Sequence, residues 1–458
     1  MWEKIIDSLY SINGYINNIV WGVPMLIFIF AVGIFFTIKL DFIQFKKFRT
    51  IFRETILQPF TKKENHNLKG ELTSFQAAMV SISAIVGSGN IAGIATAIVI
   101  GGPGVIVWMI LAAFIGMATK FAEIALGIKY REIKEDGTVN GGTMYYLDKG
   151  VGKHWLGVLF TLLIIPCAFV ISGLVDSNTI ALTVLERYAV PTWVTGAVMA
   201  TLCGIIIFGG IKRVGQVCEV ISPFMAFAYI FAGIVVIIFN ITSVPMALKE
   251  IFIAAFNPRA IMGGTVGSIF MVMRYGIARG IFSNEAGLGT AAMAHSTAKV
   301  DHPVEQAMWG PVEVFIDTVV IGTITALCIV LSGLYTSGLD GAALTMRAFD
   351  KLLPGNIGGI ACFGAVLLFG FSCLISYYTY AEKAGEYLWG PKCRPIIKVL
   401  WVVAIFTGSQ VTLGLVWELA DTLNGLMIIP NLIGLLILSR EVIKLKKEYF
   451  NKPNVDDR

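Results

Sequence analysis

Charge is what this chain has least of: 14% of its 458 residues are Asp, Glu, Lys or Arg, while 56% are hydrophobic. Soluble globular domains carry ~25% charged residues, so that class is excluded and a polytopic membrane protein is implied. Histidine is scarce too, and His66, His154, His295 and His302 all fall in or beside loops by hydropathy. No nucleophile–base pair or metal-ligand spacing emerges, so no catalytic residues and no bound cofactor are expected. The seven cysteines show no paired spacing, and six (Cys167, Cys203, Cys218, Cys328, Cys362 and Cys373) lie in apolar stretches. That excludes a disulfide framework or a zinc site and makes them small packing residues. A cleavable leader is also missing. The first apolar stretch, Ile19 to Ile38, is long enough to span ~30 Å of hydrocarbon, has no small-residue cleavage site and runs into Lys39, so it reads as a retained helix.

What is present is a series of eleven apolar stretches: roughly 19 to 38, 73 to 100, 104 to 128, 156 to 186, 190 to 210, 217 to 239, 265 to 297, 304 to 331, 357 to 381, 397 to 417 and 423 to 439. Sorting the 35 Lys and Arg by alternate loops puts 26 on one side, in 39 to 72, 129 to 153, 210 to 217, 296 to 303, 382 to 398 and 440 to 458. Six lie opposite (Lys4, Arg187, Lys249, Arg259, Arg347 and Lys351), and Lys120, Arg274 and Arg279 lie in or beside spans. The positive-inside rule then places the N-terminus outside the cell and the C-terminus in the cytoplasm of a plasma-membrane protein. Because the basic residues are a topological signal, the net charge of +5 calls for no nucleic-acid partner. The basic run between Leu40 and Leu72 reads as an interfacial helix.

The most informative feature is an internal repeat. Asn90-Ile-Ala-Gly93-Ile-Ala-Thr96-Ala97 returns 194 positions later as Asn284-Glu-Ala-Gly287-Leu-Gly-Thr290-Ala291, and at the same offset Glu123 falls on Asp317. Each copy interrupts a membrane-length apolar stretch, and the alternation of spans runs the two copies in opposite directions. Matched, Gly-broken segments in inverted halves point to the binding site of a secondary transporter. The expected organisation is all-α: an N-terminal helix and basic loop (1–72), a first five-helix repeat (73–239), a second, inverted one (265–439) and a cytoplasmic tail (440–458). An unsatisfied backbone group in hydrocarbon costs several kcal/mol, so a break is tolerated only where those groups meet ligands. In Val86-Gly87-Ser88-Gly89-Asn90 the following half-helix offers free N–H groups and a positive dipole end, which suit a carboxylate. Carbonyls freed on the preceding half-helix suit a small hard cation. The second break, Phe282-Ser283-Asn284-Glu285-Ala286-Gly287-Leu288-Gly289, supplies the same backbone chemistry plus an ionisable Glu285. Close helix packing is the competing explanation for a single small-residue segment; it fits a matched inverted pair poorly.

Gly87-Ser-Gly-Asn90-Ile-Ala-Gly93, Gly101-Gly-Pro-Gly104, Ala118-Thr-Lys-Phe-Ala-Glu123, Arg279-Gly-Ile-Phe-Ser-Asn-Glu-Ala-Gly-Leu-Gly289 and Ala420-Asp-Thr-Leu-Asn-Gly-Leu-Met427 together resemble the alanine or glycine:cation symporter family over nearly the whole chain. The resemblance implies a leucine-transporter-like inverted five-helix repeat and symport of a small neutral amino acid, usually with sodium. It implies that the Ser88 and Gly89 N–H groups take the substrate carboxylate, that Asn90 is a cation or substrate ligand, and that Ser283 joins the substrate contacts. It also implies a sodium ion between the carbonyls of Ser83 and Val86 and the helix carrying Phe369, Ser372 and Cys373. Three positions depart from the family pattern: Cys373 stands where a Ser-Thr pair is usual, and a thiol is a poor ligand for Na⁺. Tyr377 stands where a tryptophan is expected over the substrate. Asp176, in Leu174-Val175-Asp176-Ser177-Asn178, stands where glutamine is usual.

A charge in hydrocarbon costs at least ~2.5 kcal/mol, so Asp176 is a functional candidate from context alone. It is open to salt-bridging the substrate amine, coordinating the cation or carrying a proton; the bland alternative is a solvated acid at the outer rim. Lys120 and Glu123, three apart on one helical face, favour a local ion pair. Arg279 reads as an anchor or gate partner for Glu285 or Asp317, and the repeat-related Glu123 and Asp317 as stabilisers of equivalent helix ends. A channel would show a charge ring or carbonyl filter, and an intramembrane enzyme facing polar catalytic residues; neither is evident. The expected function is cation-coupled symport of alanine or glycine, most naturally with Na⁺, the alternative being proton-coupled transport of a different amino acid or amine through Asp176.

Overall fold

The computed structural model describes residues 2–57, 69–135, 138–257, 269–411 and 414–451. It is helical nearly throughout, with one two-residue hairpin pairing Glu132–Ile133 antiparallel to Val139–Asn140. Two helices open the chain, α1 (Trp2–Val20) and α2 (Val23–Lys39), bent by 42°. The helix expected at 19 to 38 therefore starts later, after Gly22 and with Pro24 in its first turn, and a further helix precedes it. Hydropathy passed over that helix because Glu3, Lys4, Asp7 and three asparagines lower its mean hydropathy. Between Leu40 and Leu72 the chain forms short helical turns at Ile43–Lys46 and Phe48–Phe52 and a π-helical turn at Arg53–Leu57, in place of one continuous interfacial helix; 58–68 lie outside the described residues.

The first broken span is α3 (Ser74–Ile85) and α4 (Ala92–Gly101), related by 53° across the break. Thr73 and Gln76 start α3 with a reciprocal capping box, satisfying two otherwise orphan N–H groups. Then follow α5 (Val105–Lys129), α6 (His154–Ala168) continuing through a π-helical turn at Phe169–Asp176 into α7 (Ser177–Tyr188), α8 (Thr192–Ile207), α9 (Gly210–Phe239) and α10 (Val244–Phe256). The second broken span is α11 (Ile269–Asn284) and the short α12 (Ala291–His295); the expected start of that span, 265 to 268, lies outside the described residues. After it come α13 (Trp309–Val314), a π-helical turn at Phe315–Gly322, α14 (Thr323–Ser332), α15 (Gly341–Leu352), α16 (Ile357–Trp389), α17 (Arg394–Gly408), α18 (Gly414–Ile437) and α19 (Ser439–Phe450).

Among the described residues, six helical stretches are long and apolar enough to cross a membrane, or eight when each bent pair counts as one. The other three expected spans fall on α8, α11 with α12, and α17, which are shorter helices. Hydropathy delayed the last span to 423 because Glu418 and Asp421 sit inside what is helix from Gly414. The lipid-facing and buried surfaces separate cleanly on α9, where Val220, Phe224, Phe227, Phe231, Ile234 and Ile238 recur every three or four residues, all exposed. Inside, small residues let helices touch: a Cβ on Gly116 would stand 2.8 Å from Ala286, and one on Gly127 2.8 Å from Ala292. The described part of the expected tail is helix α19, tied to α5 by Lys129 and Glu441 at 3.0 Å.

Candidate functional site

The first break starts where Val86 leaves helical geometry (φ −83°, ψ 77°), Gly87 is extended, and Ser88–Asn90 make a single 3₁₀ turn leading into α4. The first N–H groups of such a turn have no carbonyl one turn behind them, and these belong to Ser88 and Gly89. The turn is held by Asn90, whose side-chain oxygen accepts from the Gly87 N–H at 3.1 Å while its amide donates to Asp317 Oδ1 at 2.7 Å. Ser88 Oγ donates to Asp176 Oδ1 at 2.5 Å. Asp176 is 3% exposed, so it is no solvated rim acid, and its Oδ2 has no partner among the described residues. It closes the π-helical turn Phe169–Asp176, a distortion that recurs at functional sites because it re-aims side chains within a span.

The second break brings Glu285 to φ 56°, Gly287 to 98° and Gly289 to 87° before α12 begins. Ser283 Oγ donates to Asp317 Oδ2 at 2.8 Å, and Thr318 donates to the same oxygen at 2.8 Å. Asp317 also lies on a π-helical turn, and it accepts from both broken spans, Asn90 of the first and Ser283 of the second. Its repeat-related counterpart Glu123 faces the second break: it accepts from Asn431 of α18 at 2.6 Å, Asn431 also donates to the Gly287 carbonyl at 2.8 Å, and the Gly287 and Gly289 N–H groups lie towards its carboxylate. Glu285 accepts from Thr290 and from the Tyr377 hydroxyl, so the tyrosine expected over the substrate turns its polar end to the second break.

Two pairings differ from the sequence expectation. Lys120 does not pair with Glu123; its ammonium lies 3.1 Å from Glu313 Oε2 of α13 and donates to the Asn284 carbonyl at 2.9 Å. In a fully buried site a carboxylate on a facing helix together with a helix-end carbonyl outcompetes a neighbour on the same helix, because both charges then fill more of their hydrogen-bonding capacity. Arg279 pairs with neither Glu285 nor Asp317. Six positions before Glu285, it points to a different side of α11 and grips Asp421 of α18 through both guanidinium amino groups, at 2.9 and 2.8 Å. Its guanidinium also lies 5.4 Å from the ring centres of both Phe282 and Trp417. His295, expected in or beside a loop, is fully buried with Nε2 2.8 Å from Glu313 Oε1. Sequence reasoning missed Glu313, Asn431 and Asp421; a lone acid or asparagine inside an apolar run was the available signal.

At the end of α3, Ser372 Oγ donates to the Phe369 carbonyl at 2.9 Å and lies 3.4 Å from the Ser83 carbonyl, while the Cys373 thiol reaches the Ala84 carbonyl at 3.3 Å. A cluster of carbonyl and hydroxyl oxygens against one soft thiol results, and the carbonyl facing Cys373 is that of Ala84 and not of Val86. The donor set suits a small hard cation through its oxygens alone. A Cβ on Gly87 would stand 3.2 Å from Cys373 Sγ, so helix α16 packs directly on the break. Beside the first half of α4, a cavity of about 440 Å³ lies between α4, α7, α11 and α15, with Ala92, Gly93, Thr96, Thr179, Arg279 and Trp417 on its wall. Ala92 and Thr179 lie one helical turn beyond Ser88 and Asp176.

The chain matches the profile of the sodium:alanine symporter family over residues 6–458. It is 41% identical to the sodium/alanine symporter AgcS of Methanococcus maripaludis over 447 residues, covering 96% of this chain and 97% of that one. It is 36% identical to the amino-acid carrier protein AlsT of Bacillus subtilis, covering 98% and 93% of the two chains. Among solved structures it superposes on MhsT, crystallised with L-phenylalanine, with a TM-score of 0.59 at 15% identity over 81% of this chain and 89% of that one. The fold is thus the leucine-transporter-like one.

Proposed function

The chain belongs to the sodium:alanine symporter family, so it is a membrane transporter that couples amino-acid movement to a cation and no enzyme; from that premise we propose that it carries alanine or glycine into the cell together with Na⁺. The substrate carboxylate lies on the Ser88 and Gly89 N–H groups, where the half-helix dipole is positive. Its amino group points to Asp176, and its side chain is limited by the ring of Tyr377. Asn90 and Ser283 shape the floor of the same space through their shared hold on Asp317. Na⁺ sits at the end of α3 on the Ser83 and Phe369 carbonyls and the Ser372 hydroxyl, with Val86 and Cys373 bordering it. The N-terminus is outside and the C-terminus cytoplasmic, in line with the distribution of basic loops. Residues 73–239 and 265–439 act as the two inverted repeats, and transport proceeds by rocking the bundle that holds both broken helices against the remaining scaffold.

The observation that carries the reading is the free Oδ2 of buried Asp176 beside Ser88. A buried carboxylate surrounded by the neutral Ser88, Ser172 and Cys373 side chains, with no cationic partner among the described residues, is a receptor for a positive group. The same observation favours a second reading, in which that positive group is a proton and the coupling ion is H⁺. Uptake of radiolabelled alanine and glycine into proteoliposomes under an imposed Na⁺ or H⁺ gradient at fixed voltage separates them. Sodium-driven accumulation, with an apparent affinity falling by about two to three and a half orders of magnitude in Asp176→Gln, is the expected result; removing one partner of a buried charge pair costs about 3–5 kcal/mol. Accumulation driven by protons alone and lost in Asp176→Gln transfers the coupling to that carboxylate. No accumulation under either gradient overturns the assignment.

A further inference from the structure

Away from the transport path, a second cavity, of about 230 Å³, lies at the end of the bundle that carries the basic loops, with Lys212, Lys383, Arg394 and Lys398 on its wall together with Glu71 and Glu382. Both acids are already engaged. Glu71 accepts from Lys383 at 3.0 Å and from the Val139 N–H at 2.6 Å, and Glu382 accepts from the Tyr378 hydroxyl. Of the bases, Lys383 is buried in its pair with Glu71, and Arg394 gives its Nε to Glu386, leaving its terminal amino groups over. Among the described residues Lys212 and Lys398 pair with no acid; the ammonium of Lys398 rests 5.8 Å from the centre of the Phe208 ring. The wall therefore offers unspent positive charge to whatever enters.

Phe208 also connects this cavity to the membrane. It lies at the end of α8 and is more than half exposed, and from it a continuous apolar surface runs along α8 (Ile205) and the facing α17 (Ile396, Val399, Leu400), all likewise exposed. A basic cavity whose mouth continues into a lipid-facing apolar strip matches a molecule with an anionic head and acyl tails. We propose that this cavity binds the phosphate headgroup of an anionic phospholipid through Lys212, Lys398 and Arg394, with its acyl chains laid along α8 and α17. Free phosphate satisfies the cavity but leaves the strip unused, so the lipid is the occupant to which both observations point.

The test uses the full-length protein in detergent, titrated with dioleoylphosphatidylglycerol or dioleoylphosphatidylcholine and read by native mass spectrometry and by the thermal unfolding midpoint. The expected result is retention of phosphatidylglycerol and a raised midpoint, little effect of phosphatidylcholine, and no displacement by inorganic phosphate. Lys212→Gln/Lys398→Gln weakens phosphatidylglycerol binding by about fivefold for each lysine, whereas Lys153→Gln/Lys447→Gln, which removes two exposed lysines elsewhere, leaves it intact. Equal retention of the two lipids, unchanged binding in Lys212→Gln/Lys398→Gln, or displacement by inorganic phosphate overturns the proposal. Should the double variant fail to give a monodisperse sample, the single exposed change Lys212→Gln carries the same comparison, with half the logarithmic effect.

Discussion

At the scale of single residues, the site differs from its family pattern through atoms that can be exchanged one at a time. Cys373 presents sulfur to the Ala84 carbonyl where an oxygen would serve a hard cation better. Cys373→Thr is therefore expected to lower the Na⁺ concentration needed for half-maximal uptake severalfold, measured as the sodium dependence of alanine transport; an unchanged dependence removes this position from the cation's surroundings. Lys120 is the opposite case, a buried ammonium whose loss leaves Glu313 only His295 and the Ser81 hydroxyl as partners. Lys120→Met is expected to destabilise the protein by about 3–5 kcal/mol, read as a lower thermal midpoint. Lys120→Met/Glu313→Gln should recover part of that loss, because the carboxylate charge is removed with its partner. Which residues would matter was legible in the sequence where one type stood out from its surroundings, as Asp176 did. Whom they would touch was not: Arg279 meets Asp421, 142 positions away, and Lys120 meets Glu313 rather than Glu123, choices fixed by helix packing that local spacing does not encode.

At the scale of elements, both breaks were readable because glycine and asparagine punctuate otherwise uninterrupted apolar runs. Their tie through Asp317 was hidden, since the repeat offset pairs that residue with Glu123, which faces the second break. Asp317 instead accepts three side-chain donors, from Asn90, Ser283 and Thr318. Asp317→Ala leaves those buried donors unmade at about 1–3 kcal/mol each, and should lower the thermal midpoint and abolish uptake; Asp317→Asn, which keeps an acceptor, should fall between. The tight second break gives a sharper test. Gly289 sits at φ 87° with the Thr143 hydroxyl 2.6 Å from where a Cβ would be. Gly289→Ala is expected to destabilise by more than the ordinary cost of about 1 kcal/mol for an alanine in the left-handed region, whereas Gly93→Ala, where nothing lies within 4 Å of the added methyl, should be tolerated in the same thermal assay.

At the scale of the whole molecule, the cavity beside the first break has Arg279, paired with Asp421, on its wall, whereas the Lys120–Glu313–His295 cluster is fully buried. Arg279→Ala should ease entry from the cavity while weakening closure over the substrate. The expected readout is faster reaction of a Thr179→Cys reporter with a charged thiol reagent, together with reduced accumulation of alanine. The expected spans each fall at least in part on helix among the described residues, yet hydropathy passes over α1, whose polar residues hide its contact with α18. The π-helical turns at Phe169–Asp176 and Phe315–Gly322 carry a consequence for how such a chain can change. A helix advances about 100° per residue, and a π-helical turn absorbs one surplus residue without disturbing the helix on either side. Deleting a single residue between Phe169 and Val175 would let that turn relax to α with α6 and α7 still in phase, and would cost only the local offset that aims the side chains within the turn, so the direction of the Asp176 carboxylate depends on the number of residues in its turn as much as on their identity.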